Sequence, residues 1–206
     1  MTGVKICGIR QTSHAEAAET SGADMIGFVF AESKRKVSIE QAKHIASTLS
    51  ALSASIQKVG VFVNASKDTL EQTAHEVGLD YVQLHGDESP EFCEQLNVPY
   101  IKSFRINTVT DLDKTKPYTK ASYLLLDSAS GPYQGGNGTT FDWSVLDRLP
   151  FDRSQLILAG GLNTRNINQA IEQTTPAIVD VSSDVEEDGQ KSNQLIKDFI
   201  KRVKES

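Results

Sequence analysis

The chain is poor in the residues that mark several protein classes. Its 206 residues include only two cysteines, Cys7 and Cys93, and one tryptophan. With no CxxC pair there is neither a disulfide framework nor a cysteine-built metal centre to read. Two free thiols suit a reducing, cytoplasmic setting. No stretch approaches the ~20 apolar residues that a membrane helix needs. The opening MTGVKICGIR has no apolar segment of signal-peptide length. Positive charge is also scarce: 21 Lys and Arg against 27 Asp and Glu leave a formal net charge of −6. That balance argues against nucleic-acid binding by a broad basic surface. It leaves room for a small anionic ligand in a locally positive pocket.

What is present is a recurring alternation. Hydrophobic content of 38% and charged content of 23% suit a water-soluble globular chain. Short Val/Ile/Leu-rich runs predict strands at 3–7, 25–30, 58–63, 80–84, 99–104, 122–127, 155–159 and 177–181. They are mostly continuous rather than alternating, as expected of strands buried on both faces. Their centres fall roughly 20 to 33 residues apart, the repeat of a βα unit. Eight such units predict an α/β fold: one (β/α)8 barrel domain over residues 1–206. The chain is near the short limit of that fold, about 200 residues, so its loops must be brief.

The segments between strands carry helix punctuation. Thr12-Ser13 opens one helix and Gly22 follows it; Ser38 and Gln41 have capping-box spacing. Asn163 precedes a helix expected over 164–173, with Pro176 after it. The last helix, about 191–204, has Leu195, Ile196, Phe199 and Val203 on one side and is expected to close the barrel against the first unit. The longest loop-like stretch, 128–140, is glycine-rich and is either a plain surface turn or a substrate loop or lid.

Several expected strands end in chemistry. In a closed barrel the active site lies at the C-terminal face. Cys7 ends the first strand, followed by Gly8. The plain alternative for such a cysteine is a small buried hydrophobe. Lys5 leaves the same strand face two residues earlier, so an inward Cys7 would sit above it, and a neighbouring cation favours thiolate. Asp127 closes the Tyr123–Leu126 run and is either an ordinary loop carboxylate or a general acid raised by partial burial. Gly160-Gly161 and Ser182-Ser183 follow strands seven and eight, the positions that often bind phosphate in this fold. The basic turn after strand two, Ser33–Lys36, is either a solvated surface turn or the source of one arginine, Arg35, that forks onto a substrate carboxylate. His85 ends strand four and is a further candidate for substrate contact.

Taken together these segments closely resemble phosphoribosylanthranilate isomerases of tryptophan biosynthesis. The resemblance runs through KICGIR (5–10), GADMIGFVFAESKRKVS (22–38), VGVFVN (59–64), VQLHGDE (82–88), LLLDS (124–128), GGNGTTFDW (135–143), LAGGLN (158–163) and DVSSDVE (180–186). It implies an Amadori rearrangement of N-(5'-phosphoribosyl)anthranilate to 1-(o-carboxyphenylamino)-1-deoxyribulose 5-phosphate, with no cofactor and no metal. It also implies Cys7 as general base, Asp127 as general acid, Arg35 on the anthranilate carboxylate, and phosphate on Gly160, Gly161, Ser182 and Ser183. The partner is a small phosphorylated substrate, and the family occurs as monomers and homodimers.

Two positions depart from the family pattern. Asp184 stands where most relatives have glycine, at the start of the expected phosphate-binding helix. Its carboxylate is expected to be partly solvated, held as a cap or by a basic neighbour. Ser192 stands where relatives commonly have aspartate, and should cap the last helix equally well. Rival readings are the histidine-pathway Amadori isomerase, which pairs two aspartates, a Schiff-base lyase using Lys5 or Lys102, and a non-catalytic phosphate-binding module. A cysteine at the first strand end argues against the first.

Overall fold

In a computed structural model, which describes residues 1–52, 56–128 and 142–206, eight parallel strands close on themselves in sequence order. They are β1 (Gly3–Cys7), β2 (Met25–Val29), β3 (Gln57–Phe62), β4 (Tyr81–Leu84), β5 (Tyr100–Ile106), β6 (Tyr123–Ser128), β7 (Leu156–Leu158) and β8 (Ile178–Val181). β8 pairs back onto β1, with Lys5 beside Asp180, and this pairing closes the barrel. The (β/α)8 expectation holds, and every expected strand is present within a few residues of its predicted ends. β5 runs further than expected and includes Arg105.

The barrel has two apolar layers. Inside, Met25, Val59, Ile101, Leu125, Ile157 and Ile178 form a filled core, and Tyr81 meets Tyr123 edge-on at 5.8 Å. Outside, Val4, Ile6, Ile26, Phe28 and Val179 pack against helix residues such as Ala18, Ile45 and Phe199. Strands that bury both faces need continuous apolar runs, which is the pattern the sequence carries.

The helices among the described residues are α1 (Thr12–Thr20), α2 (Ile39–Leu52), α3 (Lys67–Val77), α4 (Pro90–Cys93), α5 (Ile167–Thr174) and α6 (Asn193–Lys204). After β5, and again ahead of β7, tight 3-10 turns at Val109–Thr115 and Trp143–Arg148 cover the sheet instead of an α-helix. Such economy fits a chain near the lower size limit of the fold. α6 buries Ile196, Phe199, Ile200 and Val203 and lies against α1 and β1, as expected. Ser192 Oγ accepts from Leu195 N at 3.5 Å and caps it.

Three local expectations need correction. Ser38 caps α2 through Gln41 N at 3.1 Å, but the Gln41 amide reaches Arg10 O at 2.6 Å instead of returning to Ser38. Only half of the capping box forms, because a tertiary acceptor takes the other half. α5 begins at Ile167, not 164. Asn163 Oδ1 accepts from Arg165 N and Asn166 Oδ1 from Asn163 N, each at 2.9 Å, so local side-chain bonds hold 163–166 as a turn. Beyond β8 lies an unanticipated hairpin, β9 (Glu186–Glu187) and β10 (Gln190–Lys191). Its turn is Asp188-Gly189, with φ of 50° and 76°, the geometry Asp-Gly favours. The glycine-rich stretch expected as a turn or lid lies, apart from Ser128, outside the described residues.

A buried ion pair braces the β4–β5 side. Lys102 Nζ donates to Leu84 O (3.2 Å), Gly86 O (2.8 Å), Ser103 O (3.3 Å) and Glu88 Oε2 (3.2 Å). Glu88 accepts in turn from Asn64 N at 2.7 Å and Gly86 N at 3.1 Å. Removing one partner of such a pair leaves an uncompensated buried charge. Glu88→Ala is therefore expected to cost about 3–5 kcal/mol of stability in urea denaturation. A loss below about 1 kcal/mol, the scale of an exposed pair, would show that the pair is not structural.

Candidate active site

The C-terminal ends of β6, β7 and β8 enclose a cavity of about 320 Å³. Arg35, Asp127, Gly160, Gly161, Ser182 and Ser183 all line it, so most of the residues expected at the site meet there. Gly160 and Gly161 have φ of 89° and 64°, left-handed values that a side chain would strain. Their N–H groups meet no acceptor among the described residues. Ser182-Ser183 opens a 3-10 turn, Ser183–Val185, on the neighbouring strand end. Unpaired amides beside two hydroxyls are an anion-binding surface.

Cys7 is not among the residues that line this cavity; it ends β1, which pairs with β8. Ser182 Oγ donates to Cys7 O at 3.2 Å, joining the β1 and β8 ends. On β2, Gly27 pairs with Cys7, and a Cβ there would come within 2.9 Å of Sγ, so only glycine leaves the thiol its space. Lys5, fully buried, stands beneath it and pairs with Asp180 at 3.0 Å. Burial opposes the Lys5 charge, but Asp180 and the Cys7 sulfur more than offset it, and its pKa lies above the ordinary lysine value. For Cys7 the balance is opposite: burial pushes the thiol up, and Lys5 and Lys191 only partly pull it back. The expected cation is in place, but burial outweighs it and keeps the resting thiol protonated.

Asp127 sits at the end of β6, where burial and the nearby Asp180 charge push its pKa to about 6 against the pull of Arg105. Its carboxyl thus holds its proton to a higher pH than an exposed aspartate, near 3.9, and keeps a protonated fraction into the neutral range. His85 is not in this cavity. It borders a neighbouring space of about 560 Å³ with Arg105 and Lys102, and its Nδ1 lies 3.2 Å from the Gln83 amide. Burial and the surrounding cations lower its pKa.

Arg35 crosses Gly8 so closely that a Cβ at Gly8 would come within 2.6 Å of its Cδ. Its guanidinium forks onto Glu186, with Nε–Oε1 at 2.5 Å and Nη2–Oε2 at 2.9 Å. Lys191 Nζ reaches the same carboxylate at 2.7 Å and Ser182 O at 2.8 Å. Burial works against the Glu186 charge, yet Arg35 and Lys191 hold its pKa down at about 2. Glu186, Lys191 and Asp180 were not singled out as site residues by sequence. The Asp-Gly turn between Glu186 and Lys191 was the available signal, since a two-residue hairpin makes them a cross-strand pair.

Asp184 is exposed and borders the same cavity. Partial burial of its carboxyl raises its pKa, and Ser183 Oγ lies 3.4 Å from Oδ2. Of the two expected supports, a cap or a basic neighbour, neither is found among the described residues: its contact is with Ser183, and no lysine or arginine pairs with it.

The raised Asp127 pKa has a consequence for stability. Below pH 4 both folded and unfolded forms hold the proton, and Asp127 contributes nothing. Between about 4 and 6 the unfolded form ionises while the folded form resists, so the folded state is penalised up to a plateau above pH 6. Asp127→Asn removes the penalty. Its melting temperature should exceed that of the parent at pH 7.5, with the gap closing as pH falls to 4. A gap independent of pH would show that the fold does not raise the Asp127 pKa.

Comparison with known proteins identifies the family. The family model described as "PRAI: N-(5'phosphoribosyl)anthranilate (PRA) isomerase" matches residues 4–202. An N-(5'-phosphoribosyl)anthranilate isomerase of Bacillus cereus (strain G9842) is 46% identical over 203 residues, covering 98% of each chain. Monomers generated from the dimeric phosphoribosylanthranilate isomerase of Thermotoga maritima superpose with a TM-score of 0.84 at 36% identity, over all of both chains. A phosphoribosylanthranilate isomerase solved with reduced 1-(o-carboxyphenylamino)-1-deoxyribulose 5-phosphate superposes at 0.85 and 37% identity, again over the whole of both chains. The chain belongs to the N-(5'-phosphoribosyl)anthranilate isomerase family and is an isomerase of tryptophan biosynthesis.

Proposed function

We propose that Asp127 is the general acid and Cys7 the general base of this isomerisation, acting on a substrate held by its two anionic ends. The phosphate lies on Gly160, Gly161, Ser182 and Ser183, the anthranilate carboxylate on Arg35, and His85 borders the sugar between. Asp127 gives its proton to the furanose ring oxygen as the bond from that oxygen to C1 breaks. The anthranilate nitrogen supplies the electron pair, leaving a protonated Schiff base. Cys7, as the thiolate fraction left when its proton has passed to solvent, then removes the C2 proton, and the C–H electrons form the enolamine as the C=N bond collapses to nitrogen. Tautomerisation of the enolamine to the ketone completes the product.

The observation that carries this reading is the pairing of an acid near pKa 6 with a thiol above a buried lysine. They stand at the ends of β6 and β1, around a mouth bordered by amides that are unpaired among the described residues. A thiolate of raised pKa is a strong base for a carbon acid, and Lys5 supports the anion. Lys5 is a poor Schiff-base nucleophile, because Asp180 keeps it protonated. Both cysteines are free, which fits work in the cytoplasm, as one barrel domain that is a monomer or a homodimer.

Cys7→Ser is expected to lower kcat for N-(5'-phosphoribosyl)anthranilate by about 10² or more, with the fold retained by circular dichroism. Asp127→Asn should fall comparably. Near-normal turnover in either variant assigns that proton transfer elsewhere. Asp184→Gly is expected to bind the reduced product analogue more tightly, by roughly tenfold or less. The basis is that two like charges a few ångströms apart repel by a few kcal/mol at an effective dielectric near 20. Calorimetric titration at low and high salt measures this. Weaker binding in Asp184→Gly would mean that the carboxylate organises the phosphate site.

A further inference from the structure

Arg35 is already engaged before any ligand arrives. A guanidinium has two bidentate edges, a side-on edge of Nε and Nη2 and an end-on edge of Nη1 and Nη2. Glu186 takes the side-on edge at 2.5 and 2.9 Å. Nη1 meets no acceptor among the described residues, and Arg35 lines the 320 Å³ cavity. From this we infer that Glu186 is a positioning residue for substrate specificity: by holding one edge of Arg35, it presents the other to the ring carboxylate. The inference rests on the assignment of Arg35 to that carboxylate.

Three observations favour positioning over competition. First, Glu186 is itself fixed. It belongs to the β9–β10 hairpin, and its cross-strand neighbour Lys191 bonds it at 2.7 Å. Arg10 ties that hairpin down through Gly189 O at 3.3 Å and Lys34 O at 2.9 Å. Second, the charge is not balanced. Arg35 and Lys191 contact one carboxylate, with Lys34 a further 3.8 Å away, so the cluster keeps positive charge for a second carboxylate. Third, displacement would be costly. The Glu186 side chain is only 6% exposed, and losing Arg35 would leave a buried anion short of its main partner. A ligand that uses the end-on edge leaves this pair intact.

The test compares two ligands: the reduced product analogue, and the same compound without its ring carboxylate. Glu186→Gln should weaken the carboxylated analogue by roughly tenfold, the scale of one charge-assisted hydrogen bond, and leave the decarboxylated one within about twofold. In turnover the loss should fall on KM more than on kcat. Glu186→Asp, which keeps the charge but retracts it, should fall between, and serves if the glutamine variant does not fold. In an Arg35→Ala background, Glu186→Gln should have no further effect on the ratio of the two affinities. Tighter binding of the carboxylated analogue by Glu186→Gln would make Glu186 a competitor and overturn the inference. So would equal weakening of both analogues, or an undiminished effect in the Arg35→Ala background. If Arg35→Ala alone fails to narrow the ratio, the assignment of Arg35 itself is wrong, a separate result.

Discussion

The structure depends on one buried contact, the pair between Lys5 on β1 and Asp180 on β8. It lies where the first and last strands meet to close the barrel. Neither group can be ionised there alone, since removing a charge from water costs several kcal/mol unless a partner restores it. The pair therefore holds the first and last strands in register, with Lys5 directly beside Asp180. It also sets the electrostatics above it. Lys5 favours the thiolate of Cys7 against burial, and the Asp180 charge adds to burial in raising the Asp127 pKa. A structural joint and the tuning of two candidate proton-transfer groups are thus the same interaction.

Around this joint the mouth is asymmetric. On the β7–β8 side the backbone presents N–H groups made accessible by Gly160-Gly161. Near β2 and the hairpin, charge is organised by side chains, with Arg35, Lys191 and Glu186 in one cluster. On the β4–β5 side a second ion pair, Lys102 with Glu88, is consumed by backbone carbonyls and amides and braces the wall. In the function proposed above, an acidic chain of net charge −6 binds a doubly anionic substrate because these local fields outweigh the distant surface charge, which solvent screens. Strand ends supply backbone N–H groups and the Cys7 and Asp127 side chains, and the short hairpin after β8 supplies the carboxylate that holds Arg35.

Much of this was legible in the chain. Continuous apolar runs announced strands buried on both faces, and the end of each run marked a position on the C-terminal rim. Cys7, Asp127, Gly160 and Ser182 could be found by that logic before any resemblance was invoked. Other features were not legible. Asp180 looked like one polar residue inside a strand, because its partner lies 175 residues away and only β1–β8 pairing brings them together. Gln41 has a local use in a capping box, but Arg10 O outcompetes it once α2 packs. The start of α5 moved because Asn163 and Asn166 satisfy the backbone locally.

The sequence by itself determined the elements, their order and the residue types at the strand ends. These follow from short-range rules: apolar periodicity, turn chemistry, and the lack of any disulfide framework or membrane-length run. Tertiary structure alone decided the ionisation and the partners. Whether Cys7 is a thiol or a thiolate depends on how burial compares with Lys5 and Lys191. Whether Arg35 is free depends on a hairpin about 150 residues further along the chain. Charge interactions act through space and are scaled by local burial, and neither the distances nor the burial is encoded in any window of sequence.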